Sequence, residues 1–148
     1  MNYQKQAKDF LSNAGVEMKI NFFKNDYHFE DDKESNIFRD IYKVVFKRKK
    51  QNRIDNKISK FTVIFGNSIQ ATNNNEKPDE YDILACLQKY DLSDFSNFCL
   101  DFGYEEFCKN CNRYNKKSIK IYKACIKEFE KVLNFFSDEE LELLRDIN

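Results

Sequence analysis

Apolar positions recur at helical spacing from the first residues. Tyr3, Ala7, Phe10, Leu11 and Ala14 fall on one face, and Gly15 follows as a stop. The period then drops to two. Val16, Met18, Ile20 and Phe22 alternate with Glu17, Lys19 and Asn21, as in a strand with one buried face. Lys24-Asn25-Asp26 reads as a turn, Tyr27-His28-Phe29 as a short return strand, and residues 30–34 as a charged loop. A second strand is expected over about residues 37–48, with Tyr42, Val44 and Phe46 on one face and Lys43, Val45 and Lys47 on the other. Residues 49–57 form a polar hairpin loop. Phe61, Val63 and Phe65 then mark a third strand, with Thr62 and Ile64 behind them and Gly66 at its end.

After Pro78 the period is helical to the end of the chain. Asp79 is placed to cap a helix that points Ile83, Leu84, Leu87 and Tyr90 inward. Ser93 is placed to cap a second, which carries Phe95, Phe98, Cys99 and Phe102 and is closed by Gly103. The longest helix is expected over about residues 116–136, with an apolar seam of Ile119, Tyr122, Ile126, Phe129, Leu133 and Phe136. Ser137 and Glu140 have the spacing of a capping box opening a last helix with Leu141, Leu144 and Ile147. Strands grouped before helices predict an α+β fold: an N-terminal helix, a three- to four-stranded antiparallel sheet, and C-terminal helices packed on one face of it. No repeat or linker divides the chain, so residues 1–148 are expected to form one domain.

The composition fits that picture. Apolar residues make up 41% of the 148, and 15 Phe and 8 Tyr supply enough area to fill a core without staples. No apolar run is long enough for a membrane span, and the first residues lack a secretory signal, so the expected location is the cytoplasm. The five Cys are expected to be free thiols there. The charge is zero in sum but uneven. Residues 1–77 hold 15 Lys and Arg against 10 Asp and Glu, and the rest of the chain holds the reverse. An asymmetry of this kind bears on partners rather than on fold.

No catalytic machinery is recognisable. His28 is the single histidine, and no nucleophile motif accompanies it. There is no phosphate-binding loop, dinucleotide fingerprint or zincin helix, so no cofactor is expected. Cys108-Lys109-Asn110-Cys111 has the spacing of half a zinc knuckle, which Cys99 and Cys125 could complete only if their helices converged. With no second pair and no nearby His, no metal site is expected.

Two charged segments point to macromolecular partners. Lys47, Arg48, Lys49, Lys50 and Arg53 form a basic hairpin, flanked by Lys43, Lys57 and Lys60, that could grip phosphates. The alternative is an edge strand charged against aggregation. A lysine stripe on the long helix (Lys116, Lys120, Lys123, Lys127, Lys131) reads as its wet face. The segment from 79 to 106 is acidic. Its Asp79, Glu80, Asp82, Asp91, Asp94 and Asp101 would suit a basic groove on a protein that handles nucleic acid, or serve as helix-start charges.

The stretch Tyr81-Asp82-Ile83-Leu84-Ala85-Cys86-Leu87-Gln88-Lys89-Tyr90-Asp91 is followed by Phe95-Ser96-Asn97-Phe98-Cys99 and Asp101-Phe102-Gly103-Tyr104. Later come Tyr122-Lys123-Ala124-Cys125 and Phe136-Ser137-Asp138-Glu139-Glu140-Leu141. With Phe65-Gly66-Asn67-Ser68-Ile69, this order resembles a family of small proteins of bacteriophages and mobile elements. The resemblance implies a non-catalytic inhibitor of a host defence nucleic-acid-handling complex, of the anti-CRISPR type. Its partner would be a defence protein or ribonucleoprotein, bound through the acidic patch or the basic hairpin. The alternative is an accessory protein binding the phage's own nucleic acid.

Overall fold

A computed structural model describes residues 2–27, 33–66, 77–88, 94–110 and 112–147, leaving out the side chains of 88, 101 and 102. Helix α1 (Tyr3–Ala14) leads into a three-stranded antiparallel sheet of β1 (Val16–Asp26), β2 (Arg39–Arg48) and β3 (Lys60–Gly66), paired in chain order. Helices α2 (Glu80–Gln88), α3 (Phe95–Phe102), α4 (Lys116–Phe135) and α5 (Asp138–Arg145) follow. The fold is α+β, as the change of period predicts. No described helix is long and apolar enough to cross a membrane.

The chain turns sharply from α1 into β1 because Gly15 adopts a left-handed backbone at φ 67°, and its N–H closes the helix on Leu11 O and Ser12 O. Its carbonyl then accepts the Lys49 N–H at 2.8 Å, which fixes the far end of β2 to this corner. β1 runs further than its sequence suggests. Lys24, Asn25 and Asp26 are not a turn but pair with Ile41, Asp40 and Arg39, after a bulge between Phe22 and Lys24. β2 begins at Arg39, leaving Ile37 and Phe38 exposed ahead of it. Tyr27 lies outside the strands, and His28 and Phe29 lie outside the described residues.

One face of the sheet carries the core. Tyr42, Val44 and Phe46 on β2 and Phe61, Val63 and Phe65 on β3 are buried against Ala7, Phe10 and Leu11 of α1, Ile83, Leu84 and Leu87 of α2, and Val132, Phe135 and Phe136 at the end of α4. Its centre is aromatic. Phe46 stacks on Phe61 at 4.7 Å, Phe61 meets Phe135 at 4.8 Å, and Phe136 reaches Phe10 at 5.8 Å. Burying each such ring is worth about 2–3 kcal/mol, with roughly 0.5–1.5 more for each well-placed pair.

Three expectations need correction. The seam of α4 holds at Ile119, Tyr122, Ile126 and Phe129, which are half-buried, and at Phe136, which is buried, but not at Leu133. Ser118, Val132 and Phe135 are buried and Leu133 is exposed, because the C-terminal turn presents Phe135 to Phe46 and Phe61. Helix α3 is capped by Asp94, whose carboxylate accepts the Asn97 N–H at 2.8 Å; Ser93, the expected cap, lies outside the described residues, as does Tyr90. The cysteines are not all thiols. Cys108 is disulfide-bonded, while Cys86, Cys99 and Cys125 are in the thiol form.

Candidate nucleic-acid interface

The candidate surface is built by strand alternation. Since Tyr42, Val44 and Phe46 face the core, the odd-numbered neighbours face away from it. Register sets Glu17, Lys47 and Lys60 side by side in one row. Lys19, Val45 and Thr62 form the next row, and Asn21, Lys43 and Ile64 the third. In these rows all but Val45 and Thr62 are exposed, and those two are half-buried. Ile41, further along β2, is buried and closes the face at that end. Rows of this kind lie about 4.8 Å apart across strands and about 6.8 Å apart along them. Lys19, Lys43, Lys47 and Lys60 thus form a compact cationic field, with Glu17 the acid within these rows.

The hairpin tip extends that field. After β2 the chain makes one 3-10 turn (Lys50–Asn52), and Lys49, Lys50 and Arg53 project into solvent with Asp55 beside them. The tip is fastened to the end of α4. Lys57 Nζ donates to Leu133 O at 2.7 Å, and the Ile58 N–H donates to Asn134 O at 2.8 Å. Both satisfy carbonyls that a helix leaves open at its C-terminus, and the ammonium also opposes the negative end of the helix dipole. No ion pair among the described residues involves Lys19, Lys47, Lys49, Lys50, Arg53 or Lys60.

Arg48 is not part of this surface. Its inward parity continues the series 42, 44, 46, and it is 2% exposed. Nη1 donates to Ala14 O at 2.9 Å and Glu140 Oε2 at 3.0 Å; Nη2 donates to Glu140 Oε1 at 2.8 Å and Phe135 O at 3.0 Å. The Phe135 ring lies 4.7 Å from the guanidinium carbon. Glu140 is also the third residue of the α5 capping box, accepting the Ser137 N–H at 2.9 Å. Arg48 therefore joins the ends of α1, β2, α4 and α5, and is too deeply buried to meet a partner.

The acidic residues divide. Asp79 and Asp82 cap the start of α2 reciprocally: Asp79 Oδ1 accepts the Asp82 N–H at 2.9 Å and Asp82 Oδ2 accepts the Asp79 N–H at 3.0 Å. Burial raises the Asp82 carboxyl above its ordinary range, opposed by the Asp79 N–H and reinforced by the Asp79 charge. Asp94 caps α3. Glu80 is half-buried in the first turn of α2. Asp91 and the side chain of Asp101 lie outside the described residues. Among the described members, three carboxylates are engaged in helix starts, and no continuous acidic face is assembled from them.

The lysines of α4 behave as a wet face. Lys116, Lys120, Lys123 and Lys127 are exposed, and the half-buried Lys131 reaches Thr62 O at 3.5 Å. Cys125 and Cys99 are held as packed thiols. Burial pushes Cys125 up to about 11, with Glu128 and Cys86 adding to it, and burial with Glu106 raises Cys99. Among the described residues no group of His, Cys, Asp and Glu could hold a metal ion; Cys111 and His28 lie outside them.

Sequence reasoning groups Lys43 and Lys60 with the hairpin but misses Lys19, because it reads the basic residues of β2 and β3 without their β1 neighbour. The signal is present in parity, since each alternates with inward apolar residues, but the register joining the three strands is not written in any one of them. No known protein family, curated protein or solved structure matches this chain.

Proposed function

We propose that this chain binds nucleic acid through the outer face of its sheet and the adjoining hairpin tip. The observation that carries this reading is the gathering of Lys19, Lys43, Lys47 and Lys60 on one sheet face, continuous with Lys49, Lys50 and Arg53 at the tip, against Glu17 and Asp55. Extended, exposed cations spaced about 5–13 Å apart suit a phosphate backbone, which gains affinity by releasing its counterions. The rigid anchoring of the tip to α4 reduces the ordering cost of binding. An inhibitor that grips the nucleic-acid strand of a defence ribonucleoprotein would use the same face. The acidic patch is the less supported half of that reading, because Asp79, Asp82 and Asp94 already cap helices.

The test is binding of a fluorescein-labelled oligonucleotide at 50 and 200 mM salt. Affinity is expected at about 1–100 μM near physiological salt, falling steeply as salt rises. Replacing Lys43, Lys47 and Lys60 together by Ala should weaken binding. It should also reduce the slope of log affinity against log salt by about 0.7–0.9 for each phosphate that the variant no longer neutralises, which is about 0.4–0.5 log units between 50 and 200 mM. Equal binding by parent and triple variant, or no binding by either at 50 mM salt, would overturn the reading.

A further inference from the structure

Phe23 is the residue inserted by the bulge in β1. Phe22 pairs with Tyr42 and Lys24 with Ile41, so Phe23 has no cross-strand partner of its own. The residue is 46% exposed. Two ammonium groups lie over it, Lys43 Nζ at 4.0 Å and Lys24 Nζ at 5.4 Å from the ring centroid. Phe22, its neighbour, lies on the opposite face of the strand, 59% exposed, and meets Tyr42 edge-on at 5.7 Å. The bulge therefore holds an aromatic ring at the end of the cationic field, next to the row of Asn21, Lys43 and Ile64, and outside the packed core.

We infer that Phe23 is a base-stacking platform and that the nucleic acid taken by this face is single-stranded. The inference rests on the reading of the face as a nucleic-acid interface and adds the class of strand. A base can take the place of an ammonium over this exposed ring, and the displaced lysine then pairs with the flanking phosphates, the combination on which single strands are held. In a duplex the bases are stacked on one another and present only their edges and backbone, so the ring has nothing to stack against. Asn21, exposed in the adjoining row, has both a donor and an acceptor for the edge of an unpaired base. Phe23 lies outside the core cluster, so its replacement leaves that cluster intact.

The experiment compares anisotropy titrations of a labelled 15-nucleotide oligothymidine and of a 15-base-pair duplex against the parent chain, Phe23→Ala, Phe23→Tyr and the triple lysine variant. Phe23→Ala should weaken single-strand binding roughly 5- to 150-fold, leave duplex binding and the salt slope unchanged, and be rescued by Phe23→Tyr. The lysine variant should weaken both. Equal loss on both probes in Phe23→Ala, or no loss on the single strand while the lysine variant still fails, would overturn the stacking role and leave the interface standing. Binding of neither probe by the parent would remove the interface itself. Polyglutamate competing as well as oligothymidine at equal charge would assign the face to an acidic protein and overturn the inference.

Discussion

Replacing Glu140 with Gln preserves the shape of the side chain and the capping acceptor, but removes the negative charge facing the Arg48 guanidinium. The pair is close and bidentate, at 2.8 and 3.0 Å, with the arginine side chain 1% exposed and the carboxylate 15%. Breaking one side of a buried pair costs about 3–5 kcal/mol, because the remaining charge is left desolvated. The slight exposure of Glu140 admits some water, so the loss in Glu140→Gln should fall near the lower end, about 3 kcal/mol. For a chain of this length that is a fall in Tm of about 6–12 °C. Arg48→Met leaves the carbonyls of Ala14 and Phe135 without this donor, at about 1–3 kcal/mol each, so its loss should be at least as large. Arg48→Met combined with Glu140→Leu should cost less than the two single changes summed, by about 1.5–3 kcal/mol. Urea unfolding followed by far-UV circular dichroism is the assay, since the chain has no Trp. An E140Q variant within about 0.5 kcal/mol of the parent, or a strictly additive pair, would refute the assignment of Arg48 as a buried clamp.

Two further outcomes are expected. Gly15→Ala places a Cβ 2.2 Å from Asn52 Cγ on a backbone at φ +67°; it should cost about 2–4 kcal/mol in the same unfolding assay, and Asn52→Gly added to it should recover all but about 1–2. A loss below about 0.5 kcal/mol would show that the corner relaxes freely. Cys125, pushed up to about 11 by burial and by Glu128 and Cys86, holds its proton at pH 8. Its alkylation by iodoacetamide there, followed by peptide mass spectrometry, should be about 20-fold slower than for a free thiol of ordinary pKa near 8.5, after allowing for its greater nucleophilicity. The rate should rise about tenfold per pH unit until pH approaches 11. A rate already level by about pH 9 would refute it.

The period of the apolar positions carried most of the architecture. Tyr42, Val44 and Phe46 mark the inner face of β2 without ambiguity, and the same count of two places Arg48 inside as well. Charge obscured this. In the basic run from Lys47 to Lys50, alternation assigns Lys47 outward and Arg48 inward, yet composition alone groups them. What parity could not supply was the partner, because Glu140 lies 92 residues away and its capping role already accounts for it locally. The extension of β1 through Asp26 was hidden for a related reason. Lys24-Asn25-Asp26 has turn composition, and only the pairing of Asn25 Nδ2 with Asp40 Oδ1 at 2.9 Å and of the strand backbones holds it extended. Phe23 carried no signal as a ligand-binding residue, since a lone aromatic on the outer face of a strand is common on protein surfaces. Alternation from Glu17, Lys19 and Asn21 already turns Phe23 outward; its lack of a cross-strand partner follows from the bulge, which depends on register.

The fastening of the β2–β3 hairpin to the end of α4 has a consequence for the order in which the chain folds. Its links, through Lys57, Arg48 and Glu140, span 76, 87 and 92 residues. Closing loops of that length is slow compared with forming α1 or the β1–β2 hairpin, whose contacts are local. During synthesis the helix and sheet up to Gly66 can pair early, but the Arg48 guanidinium keeps its water until Phe135 and Glu140 arrive. The last turn of α4 likewise has no donors for its open carbonyls until the hairpin reaches it. Helix and sheet therefore lock together in one late step, and a nascent chain stopped before the end of α4 presents the hairpin as a hydrated ribbon without its helix anchor.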